Sequence, residues 1–114
     1  MYNEYGRKLD RNGYAPSILQ LDCECWLCGK QGMEKLDRHE VFGGPYRSKS
    51  KRLGLWVLLH HESCHIFGPE AVHSNGENAR RLKAEAQRAA MKEYGWTVAD
   101  FRREFGKNYL EAEP

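Results

Sequence analysis

The sequence predicts a small α+β domain, and three observations support that fold class. Segment 53–59 is short and apolar, as a buried strand is, and segment 36–42 has an imperfect strand-like alternation. Segment 74–94 combines a helix-start signal with strong helix formers. Cysteines and histidines flank the two strand-like segments with the spacing of metal ligands. A chain of 114 residues has room for one such domain with one modest core.

Composition narrows the class of protein. Hydrophobic residues make up 40% of the chain and charged residues 30%, which are globular proportions and not those of a disordered or membrane protein. The longest apolar run is 53–59, far short of the ~18 to 20 residues that span a bilayer. The N-terminus carries no apolar signal segment. We therefore expect a cytoplasmic protein with no membrane partner, whose four cysteines are metal ligands or free thiols and not disulfides.

Residues 1–22 form a polar, tyrosine-rich arm to which we assign no chemistry. Its apolar residues Ile18, Leu19 and Leu21 are expected to dock on the body of the domain. The body itself is predicted to span residues 23–110, and residues 111–114 are a short tail.

The first half of a metal site is predicted at Cys25 and Cys28. Their C-x-x-C spacing lets both sulfurs face one tetrahedral ion, and Gly29 permits the tight turn. Cys23 has the wrong spacing to join them easily. The same spacing also occurs in redox pairs, but no βαβ pattern surrounds it here, which disfavours a thioredoxin-like interpretation.

The second half of the site follows the second strand-like segment. His61-x-x-Cys64 repeats the spacing with histidine in place of one cysteine, so the two halves together predict a Cys₃His zinc site. His60 could substitute for His61, because spacing does not separate adjacent residues. The alternative is a set of unrelated thiols and surface histidines. A zinc ion that links distant parts of the chain would stabilise a domain this small.

Between the two halves, the sequence predicts a hairpin with a long loop. Gly43-Gly44-Pro45 ends the first strand, and the polar, basic segment 46–52 is the expected loop. After the second half, Ser74 and Glu77 predict a capping box for a helix that ends at Gly95.

The predicted helix has one apolar face, and a second helix follows it. The face consists of Leu82, Ala86, Ala89 or Ala90, and Tyr94. Thr97-x-x-Asp100 is a second capping signal, for a short helix that Gly106 closes. Phe101 and Phe105 of this helix are expected to contact the core.

These motifs resemble those of the zinc-stapled HNH, or His-Me finger, endonucleases, and in particular the small HNH-like proteins of tailed phages and prophages. The resemblance covers roughly residues 23–110 and is carried by Leu36-Asp-Arg-His39-Glu-Val-Phe-Gly-Gly44, Leu55-Trp-Val-Leu-Leu59, Cys64-His65 and Val72-His73-Ser-Asn75. It implies a ββα-metal domain with C-terminal helices and a pair of zinc knuckles. The first knuckle would be Cys25-x-x-Cys28 and the second His61-x-x-Cys64. A histidine at the end of the first strand would be the general base, and ligands at the helix would hold one divalent ion.

Carried onto this sequence, the resemblance implies His39 as the base, and His65 and His73 as ligands of a catalytic Mg²⁺ or Mn²⁺. Neutral imidazole suits proton abstraction at cellular pH, and a cation stabilises charge on a phosphate. Asp37 and Glu40 are the nearest carboxylates. Strand alternation places Asp37 on the face of His39 and Glu40 on the opposite face, unless a bulge redirects it. Because many HNH motifs carry a ligand immediately beside the base, the resemblance still implies Glu40, with Asp37, as a candidate catalytic residue that could hold the ion.

The predicted partner is DNA, and the predicted activity is phosphodiester hydrolysis in phage-type DNA metabolism, in the host cytoplasm if the chain is phage-encoded. The residues expected to contact phosphates are basic side chains of the first strand and the loop, namely Arg38, Arg47, Lys49, Lys51 and Arg52. The plain alternative for these cations is a solvated loop, and the net charge of only +2 does not by itself indicate nucleic acid.

The absence of one asparagine that the resemblance implies favours two non-catalytic functions. The asparagine that the resemblance implies some five residues before the second knuckle is not evident in this sequence. A non-catalytic, zinc-stabilised DNA-binding module and a structural zinc domain that binds another protein therefore stay open beside the endonuclease.

Overall fold

A two-stranded antiparallel sheet lies at the centre of the fold. Strand β1 spans Leu36–Glu40 and strand β2 spans Trp56–His60. The computed structural model describes residues 1–21, 23–29, 35–66, 71–73 and 75–110. The register pairs Asp37 with Leu59 and His39 with Val57. Because cross-strand partners share a face of a sheet, Asp37 and His39 lie on the face of two fully buried apolar residues of β2.

Both predicted strands exist, but each is shorter than the sequence suggested. The backbone N–H of Val41 still donates to the carbonyl oxygen of Leu55, at 3.0 Å, just beyond the ladder. At Gly54 the backbone is left-handed, with a φ of 75°, and the carbonyl oxygen of Pro16 lies 2.3 Å from where a Cβ would stand. The N-terminal arm thus crosses β2 at its start, and only glycine fits there.

The basic segment predicted as a loop is helical, which corrects that expectation. A 3₁₀ turn at Gly44–Tyr46 leads into helix α1, which spans Arg47–Arg52. Lysine and arginine are good helix formers, so a short basic stretch is compatible with either structure. Ser50, which is fully buried, fixes α1 to the end of β1, since its hydroxyl donates to the carbonyl oxygen of Phe42 and accepts from the N–H of the same residue.

Two further helices follow, much as predicted. Helix α2 spans Gly76–Tyr94 and ends at Gly95, and helix α3 spans Val98–Phe105 and ends at Gly106. The predicted Thr97–Asp100 capping box of α3 is confirmed. The residue that caps α2 is Asn75, whose side chain accepts from the N–H of Asn78. Ser74, the predicted cap, lies outside the described residues.

The core joins the sheet to α2 and α3. The predicted apolar face of α2 is buried at Leu82, Ala86 and Ala90, and α3 buries Phe101 and Phe105. These residues form one cluster with the inner face of β2. The α+β class is therefore confirmed as a small fold, with a two-stranded sheet and three α-helices in the part of the chain that the structure describes.

The N-terminal arm packs on the outer face of the hairpin. The indole N–H of Trp56 donates to the carbonyl oxygen of Ala15 at 2.8 Å. Ile18 and Leu19 pack against the core, as expected, but Leu21 is fully exposed, so its predicted docking is wrong. Among the described residues, no helix has the length and apolar character needed to cross a membrane.

Candidate metal centres

Three cysteines and one histidine converge at the end of β2. Cys25, Cys28, His60 and Cys64 each offer one ligand atom, and these atoms lie within 4.8 Å of one another. The Nδ1 atom of His60 is 3.3 Å from the Sγ atom of Cys28 and 3.8 Å from that of Cys64. Sulfur and nitrogen ligands of one tetrahedral zinc ion lie about 3.6 Å apart. This cluster, called here the Cys₃His cluster, could hold a metal ion such as zinc.

Backbone contacts position the first half of the Cys₃His cluster. The N–H of Gly29 donates to the carbonyl oxygen of Cys25 at 2.8 Å, which closes the predicted tight turn. The N–H of Trp26 donates to the carbonyl oxygen of Leu58 at 2.8 Å, so the turn is attached to β2. Because His60 is the last residue of β2, this attachment brings the cysteine turn to the histidine. Cys23 is exposed and outside the cluster.

The histidine of this cluster is His60 and not His61, which corrects the favoured ligand of the sequence prediction. Adjacent residues at the end of a strand point to opposite faces, so only one of them can meet the cysteines. A π-helical turn at His61–Ile66 follows, and this wide turn returns Cys64 to His60. The Nδ1 atom of His61 lies instead 2.5 Å from a carboxylate oxygen of Asp37.

The surroundings of Cys25 favour the thiolate that a metal requires. Burial alone would raise the pKa of this thiol, but backbone hydrogen bonds from Cys28 and His60, together with the Cys64 thiol, lower the pKa below its ordinary value. A stabilised thiolate at a buried position is the expected state of a zinc ligand.

A second cluster, called here the three-His cluster, contains His39, His65 and His73. The Nε2 atom of His65 lies 3.2 Å from Nδ1 of His39 and 3.0 Å from Nε2 of His73. Two nitrogens on one tetrahedral ion lie about 3.3 Å apart, so the three imidazoles are spaced as ligands of one ion. The structure therefore brings together the three histidines that the resemblance singled out.

Each histidine of this second cluster comes from a different element. His39 is on β1 and His65 is on the π-helical turn. His73 lies just before α2, where its N–H donates to the carbonyl oxygen of His65 at 3.1 Å. The neighbouring N–H of Val72 donates to the carbonyl oxygen of Cys64 at 3.0 Å. The π-helical turn therefore contributes a residue to each cluster.

The carboxylate of Asp37 orients the imidazole of His65 in the three-His cluster. One of its carboxylate oxygens lies 3.0 Å from Nδ1 of His65 and 2.5 Å from Nδ1 of His61. When Nδ1 of His65 donates to this carboxylate, its Nε2 is left free to accept a proton or bind an ion. Burial alone would raise the pKa of Asp37, but hydrogen bonds from the two histidines lower it, which keeps the carboxylate charged. A carboxylate behind a histidine ligand is a common arrangement at metal sites.

Two imidazoles of this cluster, those of His39 and His73, favour the neutral form. Burial, followed by the charges of His65 and His73, lowers the pKa of His39 to about 4. Burial also lowers the pKa of His73, and the charge of His65 acts in the same direction. Neutral imidazole nitrogens are good ligands for zinc, nickel or iron, whereas Mg²⁺ and Mn²⁺ prefer oxygen. The donor set thus fits zinc, nickel or iron better than the Mg²⁺ or Mn²⁺ expected from the sequence.

Glu40 is held apart from the three histidines. Its carboxylate accepts from the Tyr14 hydroxyl at 2.5 Å and from Nε of Arg47 at 2.6 Å. Burial alone would raise the pKa of Glu40, but these two hydrogen bonds and the charge of Arg47 lower it. Burial and the bond to Glu40 raise the pKa of Tyr14 to about 12. Glu40 lies outside the cluster, on the face that strand alternation predicts.

A pocket of about 480 Å³ opens over the three-His cluster. His39, His65 and His73 line it, together with the glycine pair at 43–44 and the side chain of Lys83 from α2. A reactive group bound in this pocket would therefore meet imidazole nitrogens and at least one cation.

The five cations predicted to contact DNA are all engaged within the chain. Four of them pair with a carboxylate, and the fifth lies over an aromatic ring. The pairs are Arg38 with Asp10 at 2.8 Å, Arg47 with Glu40 at 2.6 Å, Lys49 with Glu104 at 3.3 Å, and Arg52 with Glu4 at 3.0 Å, while Lys51 lies 5.1 Å from the Tyr14 ring centre. The paired carboxylates partly neutralise these four cations, so the cations attract phosphates less strongly.

Within the described residues, fold and site together define a small α+β domain with one candidate metal-binding cluster of thiolates and imidazole and one of imidazoles alone. Asp37, His61 and His65 form a third group whose ligand atoms are close enough to share an ion, and this group shares His65 with the three-His cluster. Comparisons with family models, curated proteins and solved structures found no match to this chain.

Proposed function

We propose that this chain is a metal-dependent DNA endonuclease of the HNH type, which hydrolyses phosphodiester bonds at the three-His cluster. The observation that carries this proposal is the convergence of three imidazole nitrogens, spaced at 3.0 and 3.2 Å, in a pocket open to a ligand. The hairpin followed by α2, with His39 near the end of β1, is consistent with the ββα-metal arrangement that the resemblance implies.

The residues of the cluster divide the work of hydrolysis. His65 and His73 hold the ion, and Asp37 keeps Nε2 of His65 pointed at it. A divalent ion bound here would stabilise negative charge on the phosphate and the leaving oxygen. His39 accepts the proton of the attacking water, because burial keeps its imidazole neutral. In this assignment the Cys₃His cluster holds a structural zinc ion.

The remaining parts of the proposal rest on the resemblance. The substrate is DNA in phage-type DNA metabolism, and the protein acts in the cytoplasm of the host cell. The pocket adds one supporting observation. Of its three cations, Arg38 and Arg47 pair with carboxylates, whereas Lys83 forms no ion pair with a carboxylate in the described part of the chain. A cation of this kind attracts a phosphate.

Cleavage of supercoiled plasmid tests the proposal. The parent protein, with zinc left bound, is incubated with Mg²⁺, Mn²⁺, Co²⁺, Ni²⁺ or Zn²⁺ in turn. We expect nicking in at least one of these, and a rate lower by roughly 10²- to 10⁴-fold in His39→Ala, since a general base contributes about that factor. Cys23→Ser, which changes an exposed thiol outside both clusters, is the matched control and should cut like the parent.

The pattern of failures separates the alternatives. A His39→Ala protein that loses cleavage and also loses an ion would reassign His39 as a third ligand. DNA binding by the parent without cleavage in any metal would leave the non-catalytic DNA-binding module. Absence of DNA binding even at low salt would leave the structural domain that binds another protein.

A further inference from the structure

A second, smaller cleft lies beside the pocket of the three-His cluster. Its volume is about 310 Å³, and it lies between the first turns of α2 and the segment that follows α3. Three cations line it, Arg80 and Lys83 from α2 and Lys107 from the later segment, together with the ring of Tyr109. The sequence prediction assigned no role to any of these residues.

The charges in this cleft are not neutralised within the described residues. Neither Arg80, Lys83 nor Lys107 forms an ion pair with a carboxylate in the ranges that the structure describes. The ammonium groups of Lys83 and Lys107 lie 5.6 and 5.5 Å from the centre of the Tyr109 ring. A cation–π contact holds an ammonium group in place without cancelling its charge. At α1, by contrast, three of the four cations, Arg47, Lys49 and Arg52, pair with carboxylates, and Lys51 alone has an aromatic ring as its partner.

A buried glutamine fixes the two sides of the cleft together. Gln87 of α2 is fully buried, and its amide donates to the side chain of Asn108 at 2.8 Å. Its oxygen accepts from the N–H of Tyr109 at 2.7 Å. Because a buried amide is costly to leave without partners, these bonds hold the later segment against α2. Lys107 and Tyr109 therefore keep a defined position opposite Arg80.

The cleft and the pocket over the three-His cluster are neighbours. Lys83 and Ala79 line both of them, so the two spaces lie on either side of the same stretch of α2. If one phosphate of a nucleic-acid strand lies at the imidazoles, the phosphates that follow it along the strand would lie near Lys83 and then near Arg80 and Lys107.

We propose that the cleft of Arg80, Lys83, Lys107 and Tyr109 binds the sugar–phosphate backbone of DNA next to the three-His cluster. The choice of DNA as the polyanion rests on the proposed function. The cleft supplies affinity and positions the strand without reading its sequence, because its charged groups recognise phosphates and not base edges. DNA is thus bound mainly by cations of α2 and the segment after α3, and not by those of α1.

The test measures DNA binding by fluorescence anisotropy, with a short labelled duplex and no added divalent ion, so that binding is read without cleavage. The cleft variant is Arg80→Gln with Lys107→Gln, two exposed positions outside the metal clusters. The matched control, Arg52→Gln with Arg103→Gln, removes the same charge from side chains paired with Glu4 and Asp100.

We expect the cleft variant to bind roughly tenfold more weakly per lost phosphate contact at 0.1 M salt, and the slope of log affinity against log salt to fall by about 2. The control should bind like the parent. Equal binding by all three proteins, or an equal loss in both variants, would overturn the inference. So would a parent that does not bind DNA, whereas plasmid cleavage, measured in parallel on the parent, reports on the proposed function separately.

Discussion

Replacing His60 with alanine tests the ligand set of the Cys₃His cluster. The apparent binding free energy of a structural zinc site is roughly 10–16 kcal/mol, so one of four ligands carries about 2.5–4 kcal/mol if the share is even. The free energy of unfolding of a whole domain is about 5–15 kcal/mol. Loss of His60, which is only 4% exposed, should therefore lower the melting temperature by roughly 10–15 °C.

His61→Ala is the matched control, because it removes the same side chain one residue later. The His61 side chain is 45% exposed and its carboxylate partner is Asp37, so its loss should cost about 0.5–1 kcal/mol and leave zinc bound. The assay is zinc per chain by elemental mass spectrometry, followed by thermal unfolding measured by circular dichroism. A His61→Ala protein that loses zinc while His60→Ala retains it would show that His61, and not His60, is the ligand.

Three further predictions concern the second cluster and the packing. Asp37→Asn should weaken Co²⁺ or Ni²⁺ binding at the three-His cluster by about 10–100-fold in a titration while zinc content stays unchanged, and unchanged titration would contradict the orienting role. Gln87→Ala should lower the free energy of unfolding in urea by about 2–3 kcal/mol, because it leaves the buried partners of Gln87 without their hydrogen bonds. Lys92→Ala, an exposed substitution on the same helix, should lower it by about 0.5 kcal/mol. Equal losses would contradict a stabilising role for the Gln87 hydrogen bonds. Gly54→Ala should lower the free energy of unfolding by at least about 2 kcal/mol, because the new Cβ would meet the backbone of the N-terminal arm. Gly13→Ala, where nothing lies near the new Cβ, should lower it by about 1 kcal/mol. Equal losses in the two variants would disprove the close approach of the arm to Gly54.

Local signals allowed much of the fold to be predicted. Capping residues and terminal glycines are decided by hydrogen bonds within a few residues, so Thr97, Gly95 and Gly106 could be assigned from their neighbours alone. The C-x-x-C turn and the apolar strand β2 are local in the same sense. Three of the four predicted ligands of the first cluster lie where spacing placed them.

Features that depend on distant partners could not be predicted in the same way. His60 and His61 differ only in which strand face they occupy, and the π-helical turn after them changes the expected periodicity. Arg38, Lys49 and Arg52 pair with carboxylates 28 to 55 residues away, so their neutralisation leaves no trace in the local sequence. Gln87 looked like an ordinary helix residue, since its partners are 21 and 22 residues further along the chain.

One π-helical turn contributes Cys64 to the Cys₃His cluster and His65 to the three-His cluster, so we predict two separate metal sites of different chemistry. The most direct measurement is the number of ions bound per chain, by elemental analysis after purification and by calorimetric titration with Ni²⁺, for the parent and for His65→Ala. We predict one zinc ion that survives dialysis in both proteins, and a second ion that binds the parent and not His65→Ala. A parent that binds a single ion, or a His65→Ala protein that still binds two, would contradict the account.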